Sequence, residues 1–336
     1  MKYEKIQLAH GGGGLLSYEL IEKCFLPVLG NPILNKLNDQ GVFEIKSLKF
    51  AFTTDSYVVN PIFFPGGDIG DLAVYGTVND LSMGGASPLY LSLGLIIEEG
   101  FPMEDLRRIL DSIKKATEVA DVQIITGDTK VVNKGGVDKI FINTSGIGLI
   151  EGDLNISAEN LQIGDKVIVS GFIGDHGIAI MAEREGLVFN NQVRSDTAPL
   201  NKLVGNILRT GAKIQAMRDP TRGGLASTLN EFAKMSNLGI VIEEGKLPIR
   251  EEVTEACEIL GLDPLHVANE GKMIAVVDKN GADAVLQAMR THPLGTMASI
   301  IGEVTDSHRG KVIMKTRIGT TRVVDMLSGE QLPRIC

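Results

Sequence analysis

Short apolar strands that break off into hydroxyl and carboxylate side chains, each followed by a helical stretch, limit what this chain can become. Lys49-Phe50-Ala51-Phe52-Thr53-Thr54-Asp55 reads as a strand whose end carries two hydroxyls and an acid. From Asp68 to Gly85 the pattern turns helical, with Leu72, Tyr75, Val78 and Leu81 at helical spacing. A strand at Leu89–Ile97 and a helix from Pro102 come next, with Leu106, Ile109, Leu110 and Ile113 on one side of it. Val122-Gln123-Ile124-Ile125 is a further strand that runs into a loop, Thr126-Gly127-Asp128-Thr129-Lys130, and Ile140–Thr144 is another strand. This alternation predicts an α/β fold.

At 336 residues the chain exceeds one ordinary core, so two domains are expected. The polar, turn-rich stretch 151–165 is the natural boundary, dividing 1–155 from 156–320 and leaving 321–336 as a tail. Past it, Lys166–Ser170 reads as a strand and Gly174-Asp175-His176-Gly177 opens a helix running to Glu185. Arg218-Asp219-Pro220-Thr221-Arg222-Gly223-Gly224 precedes another helix, and two arginines and two glycines at a helix start suit an anion, or Asp219 or Thr221 simply caps that helix. Asn269-Glu270-Gly271-Lys272 stands before the apolar run Met273–Val277. Helix over 281–291 and strands over 298–304 and 311–315 complete the pattern.

A net charge of −9 argues against nucleic acid as a partner, because phosphate backbones need a basic surface. No apolar run approaches a membrane span and Met1-Lys2-Tyr3-Glu4 does not begin a signal peptide, so a cytoplasmic protein is expected. The three cysteines, Cys24, Cys257 and Cys336, lack metal-ligand spacing; Cys24 and Cys257 read as core fillers. Neither a P-loop nor a Rossmann glycine fingerprint is present. Instead Ala9-His10-Gly11-Gly12-Gly13-Gly14 is either a flexible linker or a backbone cradle for phosphate oxygens. Asp80, after Asn79 near a helix C-terminus, meets an unfavourable dipole and there calls for a cation, unless it faces solvent. Pro333-Arg334-Ile335-Cys336 reads as an extended, flexible arm carrying a thiol, its pKa raised by the terminal carboxylate and lowered by Arg334.

Taken in order, Thr53-Thr54-Asp55, Asn79-Asp80, Gly127-Asp128-Thr129 and the Arg218–Gly224 loop resemble the PurM-like, or aminoimidazole-ribotide (AIR) synthetase-like, superfamily. With the glycine run, TTDSYVVNPIFFPGGDIG, GDTKVV, GDHG, ANEGK and the terminal PRIC, the chain resembles the HypE family of hydrogenase maturation factors from Gln7 to Cys336. The resemblance implies two AIR synthetase-like α/β domains, the N-terminal sheets of two copies pairing in a homodimer, and ATP bound near that interface. It implies magnesium or nucleotide ligands at Asp55, Asp80, Asp128 and Asp219, with Asp39 a fifth, half-present candidate and Asp68 only a helix-start residue. His10, Gly11, Gly12, Gly13 and Gly14 would cover the phosphates, and Thr54, Asn79, Thr126, Gly127, Thr129 and Asn143 would line the nucleotide.

By the same resemblance, HypF delivers a carbamoyl group to Cys336, ATP drives its dehydration to a thiocyanate, and cyanide passes to iron on the HypC–HypD complex. Glu270 is then the candidate base and Lys130 the residue that polarises the amide oxygen or neutralises phosphate. His176 is either a second base or a satisfied histidine at a helix start. The arm would swing out after the reaction, with no anchor of its own. The alternatives are another PurM-like kinase or synthetase and a non-catalytic carrier. Selenophosphate synthetase would be expected to carry a reactive cysteine beside a lysine near its glycine loop, whereas His10 precedes the loop here. Thiamine-monophosphate kinase has no use for a C-terminal thiol.

Overall fold

The computed structural model describes residues 4–187, 192–327, 329, 332 and 334–336. Pro333, which figured in the expected arm, lies outside them.

The chain enters through a 3-10 turn at Leu8–Gly11 and two short helices, α1 (Leu15–Leu20) and α2 (Leu26–Leu29). Five strands then form the first sheet: β1 (Gly41–Ile45), β2 (Leu48–Tyr57), β5 (Ala86–Glu98), β6 (Gln123–Val132) and β7 (Ile140–Ile150). A two-residue hairpin, β3 (Phe63–Phe64) with β4 (Gly67–Asp68), interrupts the series. The sheet order is β1-β2-β7-β5-β6, antiparallel throughout except β5 with β6. Its inner face is covered by α3 (Ile69–Met83) and α4 (Met103–Ala120). Asp68 starts α3 as expected: its carboxylate accepts from Gly70 N at 2.7 Å, satisfying an orphan amide of the first turn. The stripe Ile109, Ile113, Ala116 and Ala120 turns α4 inward, each of these side chains being buried.

The second domain carries a seven-stranded sheet of β8 (Lys166–Val169), β9 (Ile214–Arg218), β10 (Gly239–Glu243), β11 (Ile274–Val277), β12 (Ser299–Thr305), β13 (Val312–Lys315) and β14 (Thr321–Val324). Its order is β14-β13-β10-β12-β8-β11-β9. Helices follow at α5 (Asp175–Glu185), α6 (Asn201–Leu208), α7 (Gly224–Ser236), α8 (Glu251–Leu260) and α9 (Ala282–Arg290). Both faces of the central strands are buried, which explains their unbroken apolar runs. Val167, Val169, Ile274 and Val276 pack towards α7, whereas Ile168, Ala275 and Val277 pack towards α6 and α9. Truncating Ile168, fully buried, to alanine is expected to cost about 2–5 kcal/mol of stability, checked by urea unfolding.

Two expectations change here. Thr126–Lys130 is not a loop: β6 continues through it to Val132 as the edge strand, because its pairing with β5 carries on past a register shift near Ser92. Thr321–Val324 pairs with β13, so the tail begins after that strand rather than at 321. Among the described residues no helix is long and apolar enough to cross a membrane.

Candidate active site

The site begins with carboxylates that three separate elements push together. Asp39 comes from the turn before β1, Asp80 from the last turn of α3, and Asp219 from the residue after β9; one oxygen from each lies within 4.8 Å of the others. Thr53, buried on β2, joins the first two: its hydroxyl donates to Asp80 Oδ2 at 2.9 Å and also lies 2.9 Å from the Asp39 carbonyl. Arg218 Nε stands 2.8 Å from Asp39, while its other nitrogens reach Glu231 and the Leu37 carbonyl. One cation therefore serves several acids.

Burial and mutual repulsion push these acids towards their neutral forms. Asp80 rises well above the ordinary carboxylate range through burial, then through Asp219, Asp39 and Asp55. Asp219 follows it for the same reasons, burial first and Asp39 next. Asp39 is raised by burial to about 6, with Arg218 opposing. Its Oδ2 is buried with no hydrogen-bond partner. Three converging hard oxygens that repel one another are a donor set suited to magnesium. Asp39 thus joins Asp80 and Asp219, a place the half-present sequence motif understated. Asp55 lies beside them electrostatically, raised by burial and lowered by Arg222.

Next to this cluster sits the tail. Cys336 is only 8% exposed and Ile335 3%, both packed into the core of the first domain. The expectation of an unanchored arm is therefore corrected. Val58 N donates to a terminal carboxylate oxygen of Cys336 at 3.0 Å and Asn60 N to the Arg334 carbonyl at 3.2 Å. Burial drives the Cys336 thiol pKa up, and the cation that opposes this is Arg222, not Arg334. Arg334 is spent on the Val58 carbonyl at 2.9 Å and on Asp138 at 2.6 Å. Arg222 is in turn raised first by Cys336, so it is the cation best placed to stabilise a thiolate there. Sequence reasoning saw an arginine-bearing anion loop but did not assign Arg222 to the thiol; nothing in the sequence places the tail against that loop.

Glu270 shares the pocket. It is 2% exposed, its Oε1 has no hydrogen-bond partner, and burial followed by Asp219, Asp196 and Asp55 raises its pKa well above the usual range. Asp196, also missed from the sequence, fixes the loop by accepting from Glu270 N at 3.1 Å and Gly271 N at 3.2 Å. Asn79, expected at the nucleotide, is instead a structural tie. Its amide donates to the Ala198 and Glu270 carbonyls and accepts from Leu200 N, so no polar atom is left for a ligand.

The glycine run is not a slack linker. Gly13 has φ +72° and a Cβ there would stand 2.6 Å from Arg222 Cβ; one on Gly14 would stand 2.4 Å from the Leu327 carbonyl oxygen. Arg222 donates to the Gly11 carbonyl at 3.4 Å, and His10 lies buried beside this run with its Nδ1 accepting from Gln7 N at 2.9 Å.

The remaining expected residues lie elsewhere. Strand alternation places Thr54, Asn143, Thr126, Asp128 and Lys130 on the outer face of the first sheet. There Thr54, Ser145, Ser92 and Thr126 form one cross-strand row, and Ser56, Asn143, Gly94 and Asp128 the next. Asn143 Nδ2 donates to the Asp55 carbonyl at 2.8 Å and to Ser56 Oγ at 3.0 Å. Lys130 pairs with Asp128 at 2.6 Å on the exposed edge, and this contact lowers the Asp128 pKa. Gly127 and Thr129 take the opposite face of β6. Within one chain, then, Asp128 is not with the acid cluster and Lys130 is not beside Cys336, because they occupy the far side of the sheet.

Comparison with known proteins follows the same outline. Residues 37–150 match the family described as AIR synthase related protein, N-terminal domain, and residues 162–315 the corresponding C-terminal domain. Carbamoyl dehydratase HypE of Bradyrhizobium diazoefficiens is 52% identical over 332 residues, covering 98% of this chain and 96% of that protein. The crystal structure of a HypE–HypF complex superposes with a TM-score of 0.87 at 50% identity, covering 92% of this chain and 99% of that one. HypE in complex with ATP gives 0.84 at 48% identity, covering 99% of this chain and 100% of that one. With two matched domains and half of all residues shared over nearly the full length, this chain belongs to the HypE family of carbamoyl dehydratases.

Proposed function

We propose that the protein converts an S-carbamoyl group on Cys336 into a thiocyanate, supplying the cyanide ligand of nickel–iron hydrogenase during its maturation. The observation that carries this reading is the burial of Cys336 within electrostatic reach of Arg222, Glu270, Asp55 and Asp219, the last a member of the Asp39–Asp80–Asp219 cluster. ATP, when bound, makes the amide oxygen a phosphate leaving group, and magnesium spreads the charge on the transferring phosphoryl group. Asp39, Asp80 and Asp219 would hold the metal, with Asp55 near them, and the His10–Gly14 run would face the phosphates. Glu270 takes an N–H proton; its raised pKa makes its ionised form a stronger base than an ordinary carboxylate. Two such protons leave as the oxygen departs with phosphate. The docked tail makes the reaction effectively intramolecular, holding the reacting carbon where the pocket expects it.

The outer-face residues enter through a second copy. The outer face of the first sheet exposes Phe52, Tyr90 and Ile96 around its polar rows, and β6 presents Ile125 and Val131 at its edge. A homodimer pairing these faces supports nucleotide contacts from Thr54, Thr126, Asp128 and Asn143, and a role for Lys130 against the amide oxygen or the phosphate. HypF as carbamoyl donor is supported by the HypE–HypF complex of a relative; HypC–HypD is the proposed acceptor.

The test is the mass of the C-terminal peptide after incubation with HypF, carbamoyl phosphate and magnesium, with and without ATP. An adduct on Cys336 that loses water only when ATP is added is the expected result. An adduct that persists in ATP makes the protein a carrier. No adduct at all points to the small-molecule kinases of this fold.

A further inference from the structure

We propose that His176 and Arg184, both on α5, form a latch that holds the tail in its inward position and so sets the balance between dehydration inside the pocket and carbamoyl loading outside it. This rests on Cys336 carrying the reacting group. It concerns what positions the tail, not the chemistry performed on it.

The first domain supplies a track. Val58 N bonds the Cys336 terminal carboxylate and Asn60 N the Arg334 carbonyl, which is the two-residue rhythm of an added antiparallel strand. Such a track orients the tail, but both of its partners belong to the segment after β2. The second domain supplies the clamp. His176, with no exposed surface, sits with Nε2 2.8 Å from the Ile335 carbonyl, the one tail carbonyl the track skips. A carbonyl oxygen only accepts, so Nε2 carries the hydrogen. Nδ1 is then the acceptor for Ser195 Oγ at 2.8 Å. Ser195 is itself fixed: its N donates to the Pro65 carbonyl at 2.7 Å and its Oγ accepts from Thr197 N at 3.1 Å. Phe64 meets the imidazole edge-on with ring centres 5.6 Å apart. Tautomer and ring orientation are therefore both dictated, and the ring is aimed at the tail. Burial lowers the His176 pKa, which keeps the ring in this neutral form near pH 7.

Arg184 closes the other end, donating to the Arg334 carbonyl at 3.2 Å while its Nε donates to the Asn60 carbonyl at 3.1 Å. It thus bridges track and tail. Because both clamps ride on one helix, a shift of α5 away from β3 would withdraw two of the donors that hold the tail at once, leaving only the track. His176 and Arg184 are positioning residues; neither acts on the carbamoyl group.

The experiment uses the whole chain and a maleimide. In His176→Ala, Cys336 should be alkylated about tenfold faster than in the parent, the scale expected when a buried hydrogen bond is lost. Cys257, 1% exposed, should stay protected and so report that the fold is intact. His176→Gln, whose amide can donate to the same carbonyl, should restore slow alkylation. Arg184→Met should release the tail independently. Cys336 reactivity within twofold of the parent in both His176→Ala and Arg184→Met overturns the latch, and this readout needs no carbamoyl chemistry. If Cys257 also becomes reactive in His176→Ala, Arg184→Met alone decides. In the carbamoyl assay the latch predicts a split: loading of His176→Ala is at least as fast as the parent's, while ATP-dependent loss of water slows about tenfold. Equal slowing of both steps also overturns it.

Discussion

Cys336→Ala should eliminate the thiocyanate adduct completely while leaving ATP affinity within about twofold, because the proposed reaction places the carbamoyl group on this sulfur and the substitution leaves the acid cluster in place. Intact-mass analysis reads the first effect and nucleotide titration the second. Glu270→Gln is the complementary variant. It retains the thiol, so the carbamoyl adduct still forms, but loss of water should slow by about 10²–10⁴, the range for a missing general base. An adduct that still turns into the nitrile in Cys336→Ala would place the chemistry on another residue. Retention of full dehydration in Glu270→Gln would assign proton removal to another group, and the buried, unpartnered Oε1 would need a different explanation.

Asp80→Asn should abolish ATP-dependent turnover and yet make the metal-free protein more stable, on the order of 1 kcal/mol near neutral pH. Burial and three neighbouring acids push the Asp80 pKa well above the ordinary carboxylate range, towards the neutral form. An amide has nearly the same shape, and its oxygen still accepts from Thr53, so folding loses no hydrogen bond and sheds an electrostatic cost. The pH dependence has a definite sign. Asp39 titrates at about 6 in the fold against an ordinary value of 3.8, so the folded state binds the extra proton between these limits. Its contribution is fully present below the lower value and is lost as pH rises through the upper one. The unfolding temperature of the metal-free protein should therefore rise from pH 7.5 to pH 5.5. Magnesium should reverse this, stabilising more at pH 7.5 than at pH 5.5, because protons and metal compete for the same oxygens. Equal magnesium shifts at both pH values would sink the assignment.

Apolar residues at helical spacing were enough to find α3 and α4, and unbroken apolar runs were enough to find the central strands of the second sheet, which are buried on both faces. Both signals failed at Thr126–Lys130, where polar residues alternate on an exposed edge strand; hydrogen bonds to β5 hold that strand without an apolar signature. The acid cluster was legible only in part. Asp80 announces itself by its position near a helix end, whereas Asp39 sits in an ordinary turn and gains its meaning from Arg218 and Asp219, far away in sequence. Asn79 misled because it adjoins Asp80, yet successive residues on a helix point in different directions, and its amide turns to the Glu270 loop. The tail was misread most. The rule that chain ends are mobile gave way to a groove formed by residues 58–60, α5 and Arg334's own ion pair, none of which a tetrapeptide can reveal.

The docked tail also decides when its sulfur can react with anything at all. A thiol that burial keeps protonated is a poor nucleophile and a poor target for peroxide, since thiolate character and access govern both reactions. Seated among Glu270, Asp55 and Asp219, Cys336 is chemically dormant. Once extended into water it recovers an ordinary acidity. If Cys336 is the acylated residue, as proposed, protection from oxidation and readiness for acylation belong to two positions of one residue, and the displacement that would offer the sulfur to a donor would also open it to oxidative damage.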